Sequence, residues 1–197
     1  MALLTNAILT VADLKTYLDI PQGDGDYDAR LESVVNALTT MFAIYTGRDT
    51  IMSSAVIEYT EGKNDDTIWL RNPPITETTS SVIIWIDEDR AYGDSSLIAR
   101  ANYVVYQRTG KVVLDDDVFP ATPHSVKASY YGGWATLSAD LRWAAYEAAQ
   151  WMWRKQKDGR VGVTSLSAQA GGSVSFEDAA LPKSVTDVLD RYRRWSP

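Results

Sequence analysis

Apolar residues recur at helical spacing at both ends of the chain and at strand spacing in its middle. Leu9 to Leu14 opens a short helix with Thr10 as N-cap and Asp13 three residues on, where a carboxylate answers the helix start. Pro21 closes it. Leu31, Val34, Val35, Leu38, Met41, Phe42 and Tyr45 then stand at i, i+3, i+4, i+7 intervals, which predicts a long second helix ending at Thr46-Gly47. From Arg48 to Gly133 the pattern turns to β-branched and aromatic runs broken by turn residues. Strands are expected at Val56 to Tyr59, Thr67 to Leu70, Ser81 to Ile86, Tyr103 to Tyr106, Lys111 to Leu114 and Ser125 to Tyr131. Gln107-Arg108-Thr109-Gly110 reads as a hairpin turn with Gly110 at positive φ, and Asn72-Pro73-Pro74 as a rigid turn.

The most strongly specified helix runs from Ser138 to Asp158. Ser138 is placed to cap it, Asp140 lies in the first turn, Arg154, Lys155 and Lys157 lie in the last, and Gly159 stops it. On a helical wheel Leu141, Ala144, Ala145, Ala148, Ala149, Trp151 and Met152 share one face, Tyr146 and Trp153 widen it, and Trp143 interrupts the polar arc of Asp140, Glu147, Gln150 and Arg154. So wide an apolar arc implies burial on more than one side. That leaves two readings: a central core helix, or one that packs on its own domain and also on a neighbouring subunit, since Trp, Tyr, Met and Arg are enriched at interfaces. Arg160 to Ser175 is rich in Ser, Gly and Ala, which predicts an extended arm rather than a core element. A last helix, with Pro182 in its first turn and Val185, Val188, Leu189 and Tyr192 as its stripe, ends in the basic cluster Arg191, Arg193 and Arg194.

The expected class is therefore α+β. Residues 1–47 form the N-terminal helices of a helical core, 48–135 an inserted antiparallel β subdomain, 136–159 the central helix, 160–180 an extended arm and 181–197 the C-terminal helix. At 197 residues the chain can bury a real core. No apolar run approaches membrane-spanning length and the N-terminus lacks the basic start of a signal peptide, so no membrane partner is expected and the protein is expected to be cytosolic when made.

Charge and composition narrow the chemistry. Residues 1–137 carry 10 Lys and Arg against 19 Asp and Glu, while residues 138–197 carry 9 against 7. An acidic body argues against a dedicated nucleic-acid binder. Without cysteine there is no thiolate, and the single His124 excludes mechanisms needing two imidazoles. Phosphate-binding glycine loops, nucleophile elbows and zinc signatures are missing from the sequence. Asp24, Asp26 and Asp28 have the spacing of the first calcium-loop ligands, but Ala29 and Val35 stand where that loop needs Gly and Glu, so the stretch reads as an acidic lead into a helix. Asp115, Asp116 and Asp117 read as a solvated loop. Neither an enzyme nor a cofactor is expected. Paired carboxylates assembled in space stay open, as does a soluble binding module, carbohydrate-binding through surface Trp, because seven Trp would suit sugar stacking.

The order of elements resembles the head-tail connector (adaptor, or head completion) proteins of tailed bacteriophages and prophages. The stretches that carry it are L-T-V-A-D-L-K-T-Y-L at 9–18, Y-T-G-R at 45–48, I-W-L-R-N-P-P-I-T at 68–76, S-V-I-I-W-I at 81–86 and Y-Y-G-G at 130–133. It continues through D-L-R-W-A-A-Y-E-A-A-Q-W-M-W-R at 140–154, S-L-S-A-Q-A-G-G-S at 165–173 and L-P-K-S-V-T-D-V-L-D-R-Y-R-R at 181–194. The β insertion departs from the compact, nearly all-helical members. The resemblance implies a structural subunit that self-assembles into a ring, commonly twelve-fold, under the portal of the virion neck. The ring would join the DNA-filled capsid to the tail and let DNA pass without sequence-specific binding. Assembly is expected in the host bacterial cytoplasm, with the portal protein and a stopper or tail-completion protein as partners. The subunit interface is expected at Trp143, Tyr146, Glu147, Gln150, Trp151, Trp153 and Arg154. Portal docking is expected through Val161, Val163, Leu166, Val174, Phe176, Arg191, Arg193 and Arg194.

Overall fold

A computed structural model describes residues 2–76, 82–157, 165–167, 173–175 and 181–194. The chain divides into two compact units, Met1–Thr46 with Leu137–Pro197, and Gly47–Thr136.

The first unit is helical. Helix α1 is Val11–Tyr17, capped by Thr10 in extended backbone with its hydroxyl accepting from Asp13 N at 3.0 Å. It ends at Leu18, short of Pro21. Lys15, on α1, is 4% exposed, and its ammonium is held by Gln22 O at 3.2 Å, Asp24 O at 2.7 Å and Asp28 Oδ1 at 2.5 Å. The acidic lead into the second helix is thus wrapped around a buried cation, which satisfies all three ammonium protons. Helix α2, Asp28–Thr46, buries Leu31, Val34, Val35, Leu38 and Phe42, as the spacing predicts, while Met41 and Tyr45 are half-buried. Asn36 on α2 anchors the first residues of the chain, accepting from Leu4 N at 2.9 Å and donating to Ala2 O at 3.0 Å. Helix α3, Ala139–Lys157, packs against α1, α2 and the C-terminal helix α4, Lys183–Asp190. Val185 and Leu189 of α4 are fully buried.

The second unit is a β sandwich. Strands β1 (Ser54–Thr60), β2 (Thr67–Trp69), β3 (Ile75–Thr76), β4 (Ile83–Ile86), β5 (Tyr103–Tyr106), β6 (Lys111–Leu114) and β7 (Val126–Gly132) fall into two antiparallel sheets. In one, β7 is central, paired with β1 on one side and with β3 and β4 on the other; in the second, β6 lies between β2 and β5. Side chains alternate along each strand, so the inward residues of both sheets meet in one core that includes Val56, Ile68, Ile84, Val112, Phe119 and Ala128. Six of these strands lie where β-branched runs predict them. The two-residue β3 was missed because no alternation can be read in Ile75-Thr76.

Gly110 adopts φ +74, and its N–H donates to Tyr106 O at 2.9 Å, as the expected hairpin turn requires. Gly132 answers a different need: a Cβ there would meet Asn72 O at 2.5 Å. That close approach seats Asn72, 0% exposed, whose side-chain carbonyl accepts from Asp49 N at 3.0 Å and Thr50 N at 3.3 Å. Beside it, Glu58 of β1 points into the sandwich at 5% exposure and accepts at one oxygen, Oε2, from Tyr130 OH at 2.6 Å and Arg71 N at 2.9 Å. Burial, followed by the neighbouring Glu58, raises the Tyr130 pKa far above its ordinary value, so this hydroxyl stays a donor.

Two further strands, β8 (Ser165–Ser167) and β9 (Ser173–Ser175), lie in the stretch expected as an extended arm and form an antiparallel ladder that pairs Leu166 with Val174. Each strand is three residues long with a single apolar side chain, too short for its alternation to stand out, so this pairing was not legible in the sequence.

The Glu58 cluster generates a stability prediction. Glu58 Oε1 and Asn72 Nδ2 already lack protein partners, so Tyr130→Phe strips a donor from a carboxylate that is poorly compensated. A loss of about 1–3 kcal/mol is expected. Urea unfolding monitored by tryptophan fluorescence measures it, and an unchanged midpoint would contradict this account of the core.

Candidate assembly surface

Helix α3 turns its smallest residues inward. Leu141, Ala144, Ala145, Ala148 and Ala149 are all at or below 2% exposure, which consumes one face of the helix and leaves its aromatic rings to the others. Trp153, expected at the subunit interface, is 8% exposed and packs edge-on against Tyr27 at 5.5 Å within its own unit. A ring supplied just ahead of α2 closes over it, a contact that the wheel of α3 alone does not reveal.

Trp143 behaves in the opposite way. At 61% exposure it stands at the head of an aromatic ridge built from two helices. Tyr17, the last residue of α1, meets Trp143 edge-on at 5.8 Å and stacks on Tyr146 at 4.8 Å with 12° between the planes. Arg142 closes the ridge, its Nε donating to Tyr146 OH at 3.2 Å and its Nη2 lying 3.4 Å from Asp13 Oδ1. Sequence reading found Trp143 and Tyr146 but missed Tyr17, Arg142 and Asp13. Only the position of Tyr17, directly after the stripe of α1, could have hinted at them.

The remaining residues expected at the interface are distributed along the same helix. Glu147 is half-buried and accepts from Ser184 Oγ of α4 at 2.5 Å, so it is already engaged within its own subunit. Gln150 and Trp151 are half-buried, with Lys155 Nζ 4.8 Å from the Trp151 ring, and Arg154 is exposed. Ser138, expected to cap α3 with its hydroxyl, instead shares a hydrogen bond of 2.6 Å with Tyr192 OH. Its carbonyl still accepts from Arg142 N at 2.9 Å. Tyr192 donates to Asp140 Oδ1 at 2.7 Å, and hydrogen bonds from Ser138 and Tyr192 hold the Asp140 carboxyl below its ordinary pKa. Burial raises that of Tyr192.

Of the residues expected at the portal, Val161, Val163 and Phe176 lie outside the described residues, and Leu166 and Val174 oppose each other across β8 and β9. The basic cluster is not uniform. Arg191 is exposed, Arg193 lies 3.7 Å from Asp190 and over the Tyr45 ring at 5.7 Å, and the backbone of Arg194 bonds to Thr46 O at 2.9 Å.

Among the described residues no group of three His, Cys, Asp or Glu is arranged to hold a metal, and no helix is long and apolar enough to cross a membrane. Asp115, Asp116 and Asp117 are exposed on their loop, in accord with the solvated reading. Trp69 and Trp143 are the strongly exposed tryptophans among the described residues, one in each unit, and Trp69 and the half-buried Trp85 lie on opposite outer faces of the sandwich.

A family model described as Head completion protein matches residues 7–195. No curated protein matches the chain. Among solved structures, a chain of the virion of a native gene transfer agent particle matches with a TM-score of 0.66 at 18% identity, covering 100% of this chain and 94% of that one. A chain of the neck of the empty particle computed with C6 symmetry matches at 0.63 and 16%, covering 100% and 95%. One from the neck of the native particle computed with C12 symmetry matches at 0.60 and 16%, covering 100% and 97%. At such identities the likeness is one of fold.

The Asp140 cluster predicts a pH dependence. Its folded carboxyl titrates below the ordinary 3.8, so it stabilises the fold above that value and the contribution is lost as pH falls through the depressed folded value. Asp140→Asn should flatten the acid limb of stability against pH, read as denaturant midpoints from about pH 2 to 6. An acid limb identical to that of the unaltered protein would count against the cluster.

Proposed function

The chain belongs to the head completion protein family, and from that premise we propose that it is a structural, non-enzymatic subunit of a virion neck. It assembles with copies of itself into a ring, twelve-fold in the virion, under the portal. The ring joins the DNA-filled head to the tail. The likeness of fold to chains of necks with six- and twelve-fold symmetry supports this reading.

The observation that carries it is the Trp143 ridge. A monomer gains little from a ring left 61% exposed, whereas covering a large apolar side chain contributes roughly 1.5–3 kcal/mol. Tyr17, itself stacked on Tyr146, packs edge-on against that ring and restricts it, so less side-chain freedom is lost when a neighbour covers it. Gln150, Trp151 and Arg154 extend the contact along α3, with Glu147 at its border and Trp153 serving beneath it as core. A net charge of -7 suits a lining that lets DNA pass, because attraction to phosphate needs Lys and Arg in excess.

Portal docking falls to the segment 160–180. The ladder of β8 and β9 is too small to be stable alone, since two-stranded sheets are marginal in water, and a partner edge would extend it by strand addition. Val161, Val163, Leu166, Val174 and Phe176 supply its apolar anchors. Arg191, with Arg193 and Arg194 nearby in sequence, would steer an acidic portal surface. A stopper or tail-completion protein would occupy the other end of the ring.

Two experiments test these points. Trp143→Ala should keep the fold while weakening assembly by about 2 kcal/mol per contact, seen as fewer rings in negative stain and a shift to monomer in sedimentation; unaltered assembly would remove Trp143 from the interface. Replacing 161–176 by a flexible linker should leave the folded body and ring formation intact but abolish co-purification with the portal protein. Normal portal binding by the deleted chain would overturn the docking role.

A further inference from the structure

The β sandwich carries two outer faces of the same make. On the four-stranded sheet, the register aligns Tyr59, Lys127 and Trp85 in one cross-strand row and Ile57, Ser129 and Ile83 in the next. Leu97, bridged to Trp85, prolongs the first row. On the three-stranded sheet the corresponding rows are Trp69, Lys111 and Tyr106, then Thr67, Val113 and Val104. Each face thus centres a lysine between a tryptophan and a tyrosine. Lys127 Nζ lies 4.6 Å from the Trp85 ring, and Lys111 Nζ 5.8 Å from that of Tyr106.

These faces are exposed where solvent-facing strands are ordinarily polar. Ile57 is 61% exposed, and Tyr59, Ile83, Trp69, Val104 and Tyr106 are all exposed as well. Contiguous apolar surface of this kind marks an interaction site. Charge points to the occupant. Gly47–Thr136 contains 13 Asp and Glu against 8 Lys and Arg, yet none of these carboxylates stands at an outward position of the paired strands, Glu58 being turned into the core. Copies of an acidic body repel one another least where two such faces meet. Because the inward sides of both sheets share one core, the two faces look in opposite directions. A cyclic ring requires two unlike, oppositely directed patches on each copy, since its contacts are head-to-tail.

We infer that the outer face bearing Ile57 and Trp85 on one copy packs against the outer face bearing Val104 and Trp69 on the next, making the β unit a second ring contact. The inference rests on the ring assembly proposed above. It assigns the inserted unit a role in that assembly, with a second copy of this chain as the partner.

The chain has no cysteine, so engineered thiols report on this contact alone. Ile57→Cys and Val104→Cys are made singly and together, with Asp94→Cys combined with Asp116→Cys, at exposed loop positions, as the control. Circular dichroism checks folding, and each protein is treated with a short bis-maleimide in solution and on purified portal. The double variant should give a ladder of multimers about tenfold faster than the control, because docking raises the effective thiol concentration. Each single variant alone should remain uncross-linked, and an equimolar mixture of the two should stop at cross-linked dimers, since each copy then offers one thiol. Self-linking of a single variant as fast as the mixture would overturn the inference in favour of like-with-like contacts. A ladder no faster than the control, with rings still visible in negative stain, would overturn it and leave the ring reading standing. Absence of both ladder and rings, even on portal, would sink the two together.

Discussion

Four methyl groups set the geometry of the helical unit. Ala144, Ala145, Ala148 and Ala149 are buried to 2% or less along one face of α3, and the distance between packed helices is fixed by the side chains at the contact. With nothing larger than Cβ on that face from Ala144 to Ala149, α3 can lie close to α1, α2 and α4 at once. Larger residues there would force the neighbouring helices apart, an overpacking a dense core does not absorb. The same economy decides where the aromatic rings go. With the inward face taken by alanine, Trp143 and Tyr146 are left to an outer ridge, and Tyr17 from α1 holds them there. The interior of the helical unit thereby determines which rings stand on its surface.

Each unit also buries one charged or ionisable group, and solves the problem in its own way. Lys15 is enclosed by two backbone carbonyls and the Asp28 carboxylate, which converts an acidic loop with calcium-like spacing into a fixed lead for α2. Glu58 is enclosed by the Tyr130 hydroxyl and the Arg71 amide, close to an asparagine that ties down the backbone at Asp49 and Thr50. Removing Glu58 would leave the buried Tyr130 hydroxyl without its acceptor, which costs more than the contact itself contributes. Turning Glu58 inward also keeps a carboxylate off an outer sheet face.

Much of the architecture was legible because hydrophobic period and backbone geometry coincide. Helix α2 follows its i, i+3, i+4, i+7 stripe, α3 its alanine stripe, and the six longer strands of the sandwich their β-branched runs. Thr10 and Gly110 could be placed because capping and positive φ are local chemistry, decided within four residues. The β8 and β9 ladder and the two-residue β3 were not legible, since strands of two or three residues are too short to display a periodicity and exist through their pairing.

The candidate surface divides along the same line. Sequence alone determined that α3 has more apolar circumference than one core can use, and that the chain is poorly supplied for catalysis. Which rings are spent inside and which face outward was decided only by tertiary structure. Trp143 and Trp153 are ten residues apart on one helix, yet Tyr27 covers the second and no residue of its own unit covers the first so fully. The same holds for the two Trp, Lys, Tyr rows of the sandwich. Apart from Tyr106 and Lys111, joined by one hairpin, their members lie far apart along the chain, and cross-strand register, set by a core common to both sheets, is what brings them side by side.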